Sequence, residues 1–435
     1  MEKVLPKNWV EANLFDIANV ITGKKDANHS TGDGKYTFFT CAFEPLLSPD
    51  YDFDDEVLIL PGNGANVGHV FYFKGQFQAY QRTYIIEKIK INPKFLHYHL
   101  LLFWRKRNEN EQYGTATNYI KIGNFKSYSV DIAPLAEQNR IVEKLDKLFA
   151  QLEIIKTSMA NIPTLLKDFR QQVLTQAVTG KLTNKSFVSL PSTITIGNIF
   201  EETPIDWKWI KLTDAAKLES GHTPRKTEEE YWINGNVPWI SLQDIRSAHG
   251  KIIYSTKYMP NELGIQKSSA RLLPKGTVCF CRDISVGYTT VMGKEMSTTQ
   301  HFANWVCGEL LDNMFLLYVF MSAKDYLTAS GKGTTVSTIY MPALKELRIL
   351  LPPLEEQQKI VSKVESLFTK ADIIEQQYIS LKQKIDTLPQ AILHKAFKGE
   401  LTERLDSDGN AMDLLQQIQE LKNSVVKPKK SKELS

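Results

Sequence analysis

From Ile141 onward the apolar residues of this chain fall at alternating steps of four and three: Ile141, Leu145, Leu148, Leu152, Ile155, Met159, Ile162, Leu166, Phe169 and Val173. That spacing sets one side chain above another on a single stripe of an α-helix, with polar residues between, and it is the seam of a heptad coiled coil. A strand alternates faces every second residue and does not hold this phase. The stripe also runs far longer than an ordinary core helix of about 10–14 residues. The same phase returns with Ile360, Val364, Leu367, Ala371, Ile374, Tyr378, Leu381, Ile385, Leu388 and Ile392. Two long helices are predicted; at about 1.5 Å per residue, some 40 residues make a rod of roughly 60 Å.

The two helices are copies of one unit. Residues 134–183 repeat without gaps at 353–402, a constant offset of 219, with 17 of 50 positions identical. The copies open alike, PLAEQNRIV against PLEEQQKIV, and close alike, with Ala177, Gly180, Leu182 and Thr183 recurring as Ala396, Gly399, Leu401 and Thr402. Each holds one proline, Pro163 and Pro389, at non-equivalent positions. A proline inside a helix removes a hydrogen bond and collides with the carbonyl four residues back, so a kink or break is expected at each, and the copies need not bend alike.

The repeat continues outside the helices. Gly68, Gln81, Gly114, Thr115 and Ile120 recur at the offset of 219 as Gly287, Gln300, Gly333, Thr334 and Ile339. Trp9, Leu14, Asp16 and Gly23 recur as Trp207, Leu212, Asp214 and Gly221 at an offset of 198, so the second unit carries 21 more residues between these anchors. The order is domain (1–133), helix (134–190), domain (191–352), helix (353–402) and tail (403–435). The first helix leads away from the first domain and the second starts at the second domain, so paired rods run antiparallel. The expected fold class is α+β, with two similar domains held apart by two long antiparallel coiled-coil helices and related by a pseudo-twofold axis.

Within the domains, β-rich segments at 56–60, 68–73, 84–91, 237–242 and 277–281 are separated by glycine and asparagine. An apolar-rich helix is predicted in each domain, at 94–105 and 311–327, and the tail splits into an amphipathic helix over 411–425 and a basic end, KPKKSK, expected to be disordered. The net charge of +4 and pI near 8.5 are too mild to name nucleic acid as a partner. Four cysteines without a CxxC, two of them at Cys279 and Cys281, suggest a reducing compartment. The longest apolar run, Met314 to Met321, is far short of the roughly 20 residues that span a bilayer, and the polar start lacks a secretion signal, so a cytoplasmic protein is expected.

Catalytic chemistry is not written in the chain. GNGANVG, from Gly62 to Gly68, has the wrong spacing for a dinucleotide fingerprint and reads as a turn. No GxxxxGK[ST] is present to cradle a triphosphate, and the glycine-lysine pairs at Gly180 and Gly293 lack the upstream glycine. His97 and His99 flank Tyr98 without HExxH or a Cys/His ligand set, and read as structural; no metal site is expected. No SAM-binding fingerprint or NPPF-type motif is found.

A variable domain ending in a GT-rich loop, then LPPLEEQQKI at 351–360 opening a long helix that closes on AFKGELT, with the whole unit present twice and APLAEQNRI at 133–141 in the other copy, resembles the specificity subunit of a type I restriction-modification system. The match covers essentially the whole chain. The resemblance implies that each variable domain is a target-recognition domain reading one half of a bipartite, asymmetric site in double-stranded DNA. It further implies that the helices space the domains and dock two methyltransferase subunits, which bring SAM, while a restriction/translocase subunit brings ATP and nuclease activity. The chain itself is then non-catalytic and holds no cofactor.

Bases are read in the major groove by Arg, Lys, Asn, Gln, Ser and Thr, and phosphates are held by basic side chains. Loops at equivalent positions supply such residues. In the first domain they are Lys24 and Lys25, Asn63 and Asn66, Gln81 and Arg82, the basic run Arg105, Lys106 and Arg107, and Thr115, Thr117 and Asn118. In the second they are His222, Thr223, Arg225 and Lys226, then Arg282, Asp283 and Ser285, then Gln300 and His301, and Lys332, Thr334, Thr335 and Ser337. The two sets differ, so half-sites read by them differ. A tandem protein scaffold, which shows no salt-dependent DNA binding, and a fused restriction enzyme, which needs the missing catalytic motifs, are the alternatives.

Overall fold

The computed structural model describes residues 4–108, 113, 118–183, 186–189, 202–329 and 338–425. In chain order, the helices used below are α1 (Pro93–Asn108), α2 (Leu135–Ala160), α3 (Ile162–Val178), α4 (Leu242–Ser247), α5 (Asn313–Ser322), α6 (Leu354–Phe397) and α7 (Ala411–Val425). The strands are β1 (Asn19–Thr22), β2 (Tyr36–Phe39), β3 (Leu46–Ser48), β4 (Phe53–Pro61), β5 (Phe71–Ala79), β6 (Thr83–Glu87), β7 (Ala216–Ser220), β8 (Ile252–Ile253), β9 (Val278–Cys281), β10 (Thr289–Met292) and β11 (Phe302–Cys307). The residues form two compact units, one from 1–160 with 380–435, the other from 161–379.

In the first unit, six strands form a sheet in the order β1-β6-β4-β5-β2-β3. Strand β4 is central, and Val57, Leu58, Ile59 and Leu60 are all buried because both faces are covered. Helix α1 buries Phe95, Leu96, Leu100 and Trp104, the last with its ring centroid 4.6 Å from that of Phe125. His97 and His99 serve packing: His97 Nε2 lies 3.2 Å from the Val70 carbonyl, and burial lowers its pKa, while the His99 ring lies 3.0 Å from the Tyr128 hydroxyl. Val10–Asn13 pairs antiparallel with Ser129–Ile132, which delivers the chain to α2. The chain's end completes this unit. Ala411 N donates to the Asn8 carbonyl at 3.0 Å, and both terminal nitrogens of Arg140 reach the Asp408 carboxylate, at 2.5 and 2.6 Å.

The second unit repeats the frame. Its sheet runs β7-β11-β9-β10-β8, so β7, β11, β9 and β10 stand where β1, β6, β4 and β5 stand in the first. Val20 opposite Ile86 becomes Leu218 opposite Trp305, and Val10 opposite Ile132 becomes Lys208 opposite Leu351, each pair shifted by 198 and 219. Helix α5 is apolar almost all round and therefore lies inside, with Phe315, Leu316, Leu317 and Phe320 buried. It ends at Ala323, and a separate short helix, Lys324–Ala329, covers the rest of the single helix expected over 311–327. The strand expected over 237–242 shrinks to Trp239–Ile240, because Ser241 caps α4: its hydroxyl accepts from Asp244 N while the Asp244 carboxylate accepts from Ser241 N. All four cysteines are free thiols, and burial pushes the Cys281 thiol up to about 12. Among the described residues no helix is long and apolar enough to cross a membrane, and no cluster of His, Cys, Asp or Glu is placed to hold a metal.

The long helices grow out of the domain cores. In the second unit, Val173, Leu174 and Ala177 of α3 and Ile360 and Val364 of α6 belong to one hydrophobic cluster with Trp305 and Phe315. These helices run antiparallel: Arg170 bonds Asp372 at 2.6 Å and Glu375 at 2.8 Å, and twelve residues on, Leu182 accepts from Lys363, nine positions back along the partner. The prolines act differently. In the first copy the helix breaks at Asn161, between α2 and α3, because Pro163 has no N–H to offer the turn before it. At Pro389, where a kink or break is expected, the helix is not broken; α6 runs through it for 44 residues, about 66 Å.

One glutamine in each copy explains the shared text at the helix starts. Gln138 Oε1 accepts from Asn92 N at 3.0 Å and Nε2 donates to the Ala133 carbonyl at 2.7 Å. Gln357 Oε1 accepts from Asp312 N at 2.8 Å, and Nε2 donates to the Leu310 and Pro352 carbonyls, both at 2.9 Å. Both side chains are fully buried. Each ties the first turn of a long helix to the start of its domain's own buried helix. Gln357→Leu should therefore destabilise the second unit by at least about 1–3 kcal/mol, the cost of buried backbone groups left without partners. Urea unfolding of the two proteins measures it, and a loss below about 0.5 kcal/mol would refute this role.

Candidate nucleic-acid interface

In the first unit, four loops are strung together by backbone hydrogen bonds. Lys24 N donates to Ala79 O at 3.1 Å, Gln81 N to Lys25 O at 2.9 Å, Gly62 N to Arg82 O at 2.9 Å, and Ile120 N to Gly62 O at 3.0 Å. Gly64 N adds a bond to Asn118 O at 2.8 Å. Residues far apart in sequence, Lys24, Asn63, Gln81, Arg82 and Asn118, thus lie along one ridge. Only glycine fits at its crossing point, since a Cβ on Gly23 would lie 2.3 Å from Ala79 O. The Gly62–Gly68 string is the turn expected, with positive φ at Gly64 and Gly68. An open cleft of about 370 Å³ is bordered by Thr22, Asn63, Gln81, Arg82, Tyr84 and Tyr119.

The second unit has the same ridge. His222 N donates to Thr298 O at 2.9 Å, Arg282 N to His301 O at 3.0 Å, and Ile339 N to Arg282 O at 2.8 Å. A Cβ on Gly221 would meet Thr298 Oγ1 at 2.1 Å, as on Gly23 in the first unit it would meet Ala79. Two indoles hold the loop after β7: Trp239 Nε1 donates to the His222 carbonyl at 3.1 Å and Trp232 Nε1 to the Arg225 carbonyl at 3.2 Å. Thr223 Oγ1 reaches the Gln300 amide oxygen, and Arg282 Nη2 donates to the Gln300 carbonyl at 3.2 Å.

Not every candidate side chain faces outward. Ser285 is buried, and its hydroxyl accepts from Arg246 Nε at 2.8 Å and Nη2 at 2.5 Å, so it positions another residue. Asp283 is bonded to His301 Nδ1 at 2.6 Å. The Asn66 amide donates to the Cys41 carbonyl at 2.9 Å, and Arg107 turns back to the Ser127 carbonyl with its guanidinium 5.4 Å over the Tyr128 ring. Lys25 pairs with Asp50 at 3.1 Å, and the Gln81 amide donates to Asp26 at 2.8 Å. Lys24, Gln81, Arg82, Arg105, Lys106, Asn118, Arg225, Lys226 and Gln300 are exposed, and Asn63, His222, Thr223, Arg282 and His301 partly so. Thr115, Thr117, Lys332, Thr334, Thr335 and Ser337 lie outside the described residues.

Other groups at the ridge escaped the sequence reading. Tyr113 and Tyr119 stack with centroids 5.5 Å apart, and Lys121 Nζ lies 4.2 Å from the Tyr113 ring centre. Aromatic and basic residues beside the threonine-rich loop were the available signal. Arg246 carried none, because α4 itself was not foreseen.

Asp50 organises the loops below Lys25. Bonds from His29 at 2.8 Å, Gln78 at 3.2 Å and Lys25 at 3.1 Å hold its carboxyl well below the usual carboxylate range, His29 contributing most. A carboxyl with a lowered folded-state pKa contributes stability above its ordinary pKa of about 3.9 and loses it as pH falls below that value. The first unit should therefore lose stability progressively as pH falls below about 4, and Asp50→Asn should flatten that acid limb of the profile while lowering stability at neutral pH. Thermal melts across this range test it; an unchanged slope in the variant would remove Asp50 from this role.

A family model for the type I restriction modification DNA specificity domain matches this chain twice, over residues 6–164 and 204–383. The EcoDI specificity subunit of Escherichia coli is 31% identical over 415 residues, covering 92% of this chain and 90% of that protein. The EcoKI specificity subunit of Escherichia coli K12 is 28% identical over 439 residues, with the same coverage. A solved chain from a type I R-M system superposes with a TM-score of 0.67 at 18% identity, over 92% of this chain and all of that one. The HsdS subunit of Thermoanaerobacter tengcongensis gives 0.60 at 16% identity, over 92% and 99%; these two likenesses concern the fold. With two matched domains and relatives aligned along nearly its whole length, the chain belongs to the type I restriction-modification specificity subunits, the non-catalytic DNA-recognition components of those complexes.

Proposed function

We propose that each unit reads one half of a bipartite, asymmetric site in double-stranded DNA through its loop ridge. The carrying observation is that the two units present the same hydrogen-bonded loop frame with different side chains on it. Lys24 and Arg82 in the first stand where His222 and His301 stand in the second, while Gly62 and Asn63 stand where Arg282 and Asp283 stand. A shared frame with different donors and acceptors suits one protein that docks twice on the same duplex and reads two different sequences.

The long helices are the proposed spacer and the seat of two methyltransferase subunits. Ile155 of α2, Phe169 of α3, and Ile374, Leu381 and Leu388 of α6 occupy seam positions yet are exposed, as are the adjacent Ile154 and Ile373. Apolar residues left bare along a helix are groups that a protein partner covers. SAM then sits on the methyltransferase subunits, and ATP on a restriction/translocase subunit. A cytoplasmic location follows from DNA as substrate.

Two outcomes test this in the complex reconstituted with its methyltransferase partner, by mapping the methylated motif. Arg282→Ala should relax only the half-site read by the second unit, and Arg82→Ala only the other, since a lost bidentate base contact costs about 1–3 kcal/mol of discrimination. The two effects should add. Relaxation of both half-sites by either variant would mean that these residues build the fold or an interface. Separately, inserting a heptad after Lys156 together with one after Glu375 adds about 10 Å of helix, about three base-pair steps. The spacer should lengthen or modification should cease, with half-sites unchanged; altered half-sites at the old spacing would reject the helices as the spacer.

A further inference from the structure

Helix α4 sits among the residues that lengthen the second unit between Gly221 and Gly287, and it is held rigidly for its size. Ser241 and Asp244 form its capping box, the other oxygen of Asp244 accepts from Lys257 N at 3.0 Å, and Ile245 is buried. The next residue, Arg246, is exposed but not free to wander. Its Nε and Nη2 both donate to Ser285 Oγ. Ser285 is itself fixed within the 282–287 turn: its N–H bonds the Asp283 carbonyl, and its own carbonyl accepts from Tyr288 N at 3.2 Å.

The consequence is a guanidinium with one edge consumed and another presented. With Nε and one hydrogen of Nη2 engaged on the Ser285 side, one hydrogen of Nη1 and the remaining hydrogen of Nη2 form the distal edge, two parallel donors. Among the described residues no carboxylate pairs with Arg246 within salt-bridge distance. Two parallel donors match the O6 and N7 acceptors that guanine shows in the major groove; adenine offers a donor beside N7 and cannot satisfy both. The same turn carries Arg282 and the Asp283–His301 pair. In the first unit Asn66, two residues before Gly68 as Ser285 is before Gly287, is bonded to the Cys41 carbonyl instead.

Resting on the reading of this ridge as the DNA face, we propose that Arg246 is a base-reading residue of the second unit, with Ser285 as its positioning residue, and that the half-site read by this unit contains a guanine facing Arg246. The chain co-expressed with its methyltransferase partner, and variants Arg246→Ala, Arg246→Lys and Ser285→Ala, are compared by mapping methylated motifs in genomic DNA. The half-site concerned is the one that Arg282→Ala relaxes. It should hold a fixed G·C pair at which Arg246→Ala and Arg246→Lys each lower discrimination about tenfold or more, and Ser285→Ala lowers it less, with the other half-site unchanged. Lysine keeps the charge but not the two parallel donors, so it separates base reading from a phosphate contact. A half-site without a fixed G·C pair, or a motif left intact by both arginine variants, would overturn the assignment. So would a uniform fall in methylation with Arg246→Ala that Arg246→Lys restores, which marks a phosphate anchor. If Arg246→Ala does not assemble, the lysine and Ser285 variants still decide. A wild-type complex that modifies no bipartite site would instead sink the DNA-recognition reading as a whole.

Discussion

A long amphipathic helix cannot bury its apolar stripe alone, and here each rod buries the end nearest its domain by growing out of that domain. The buried glutamines carry the junction. Gln138 and Gln357 saturate backbone groups at the start of a long helix and at the start of the domain's own buried helix, so neither can shift without stranding the other's polar atoms. The apolar cluster of the second unit then runs without a seam from α5 into α3 and α6. Helix and domain become one body, a condition for any spacing function, since a rod on a loose joint fixes no distance.

Much of this was legible in the sequence because it depends on repetition and periodicity. The heptad phase, the offsets of 198 and 219 and the helix over 411–425 are properties of the order of residues, and the paired strands repeat the same offsets in their register. What was not legible depends on partners distant in sequence. The strand expected near 237–242 stops at Ile240, where a capping box written as Ser241 and Asp244 starts a helix instead. Pro163 interrupts a helix and Pro389 does not, a difference that neither position in the heptad phase announces.

The candidate site divides in the same way. Loop positions were accessible because the repeat marks where the loops must be. Side-chain roles were not: Lys25, Asn66, Gln81, Arg107 and Ser285 look outward-facing by composition, but Asp50, the Cys41 carbonyl, Asp26, the Ser127 carbonyl and Arg246 claim them. A polar residue type says that a hydrogen bond will be made, not with what.

This division bears on how such a protein changes its target. The backbone bonds at Gly23 and Gly221, where a Cβ would fall on a neighbouring strand end, set the ridge without reference to the side chains upon it. Substitution at an outward position therefore costs little stability, while substitution at a glycine crossing or a buried glutamine costs much. Recognition can vary on a frame that stays fixed. The second unit goes further and adds α4, a new element beside the old turn, so that a residue absent from the shared frame gains a fixed direction from a serine that belongs to it.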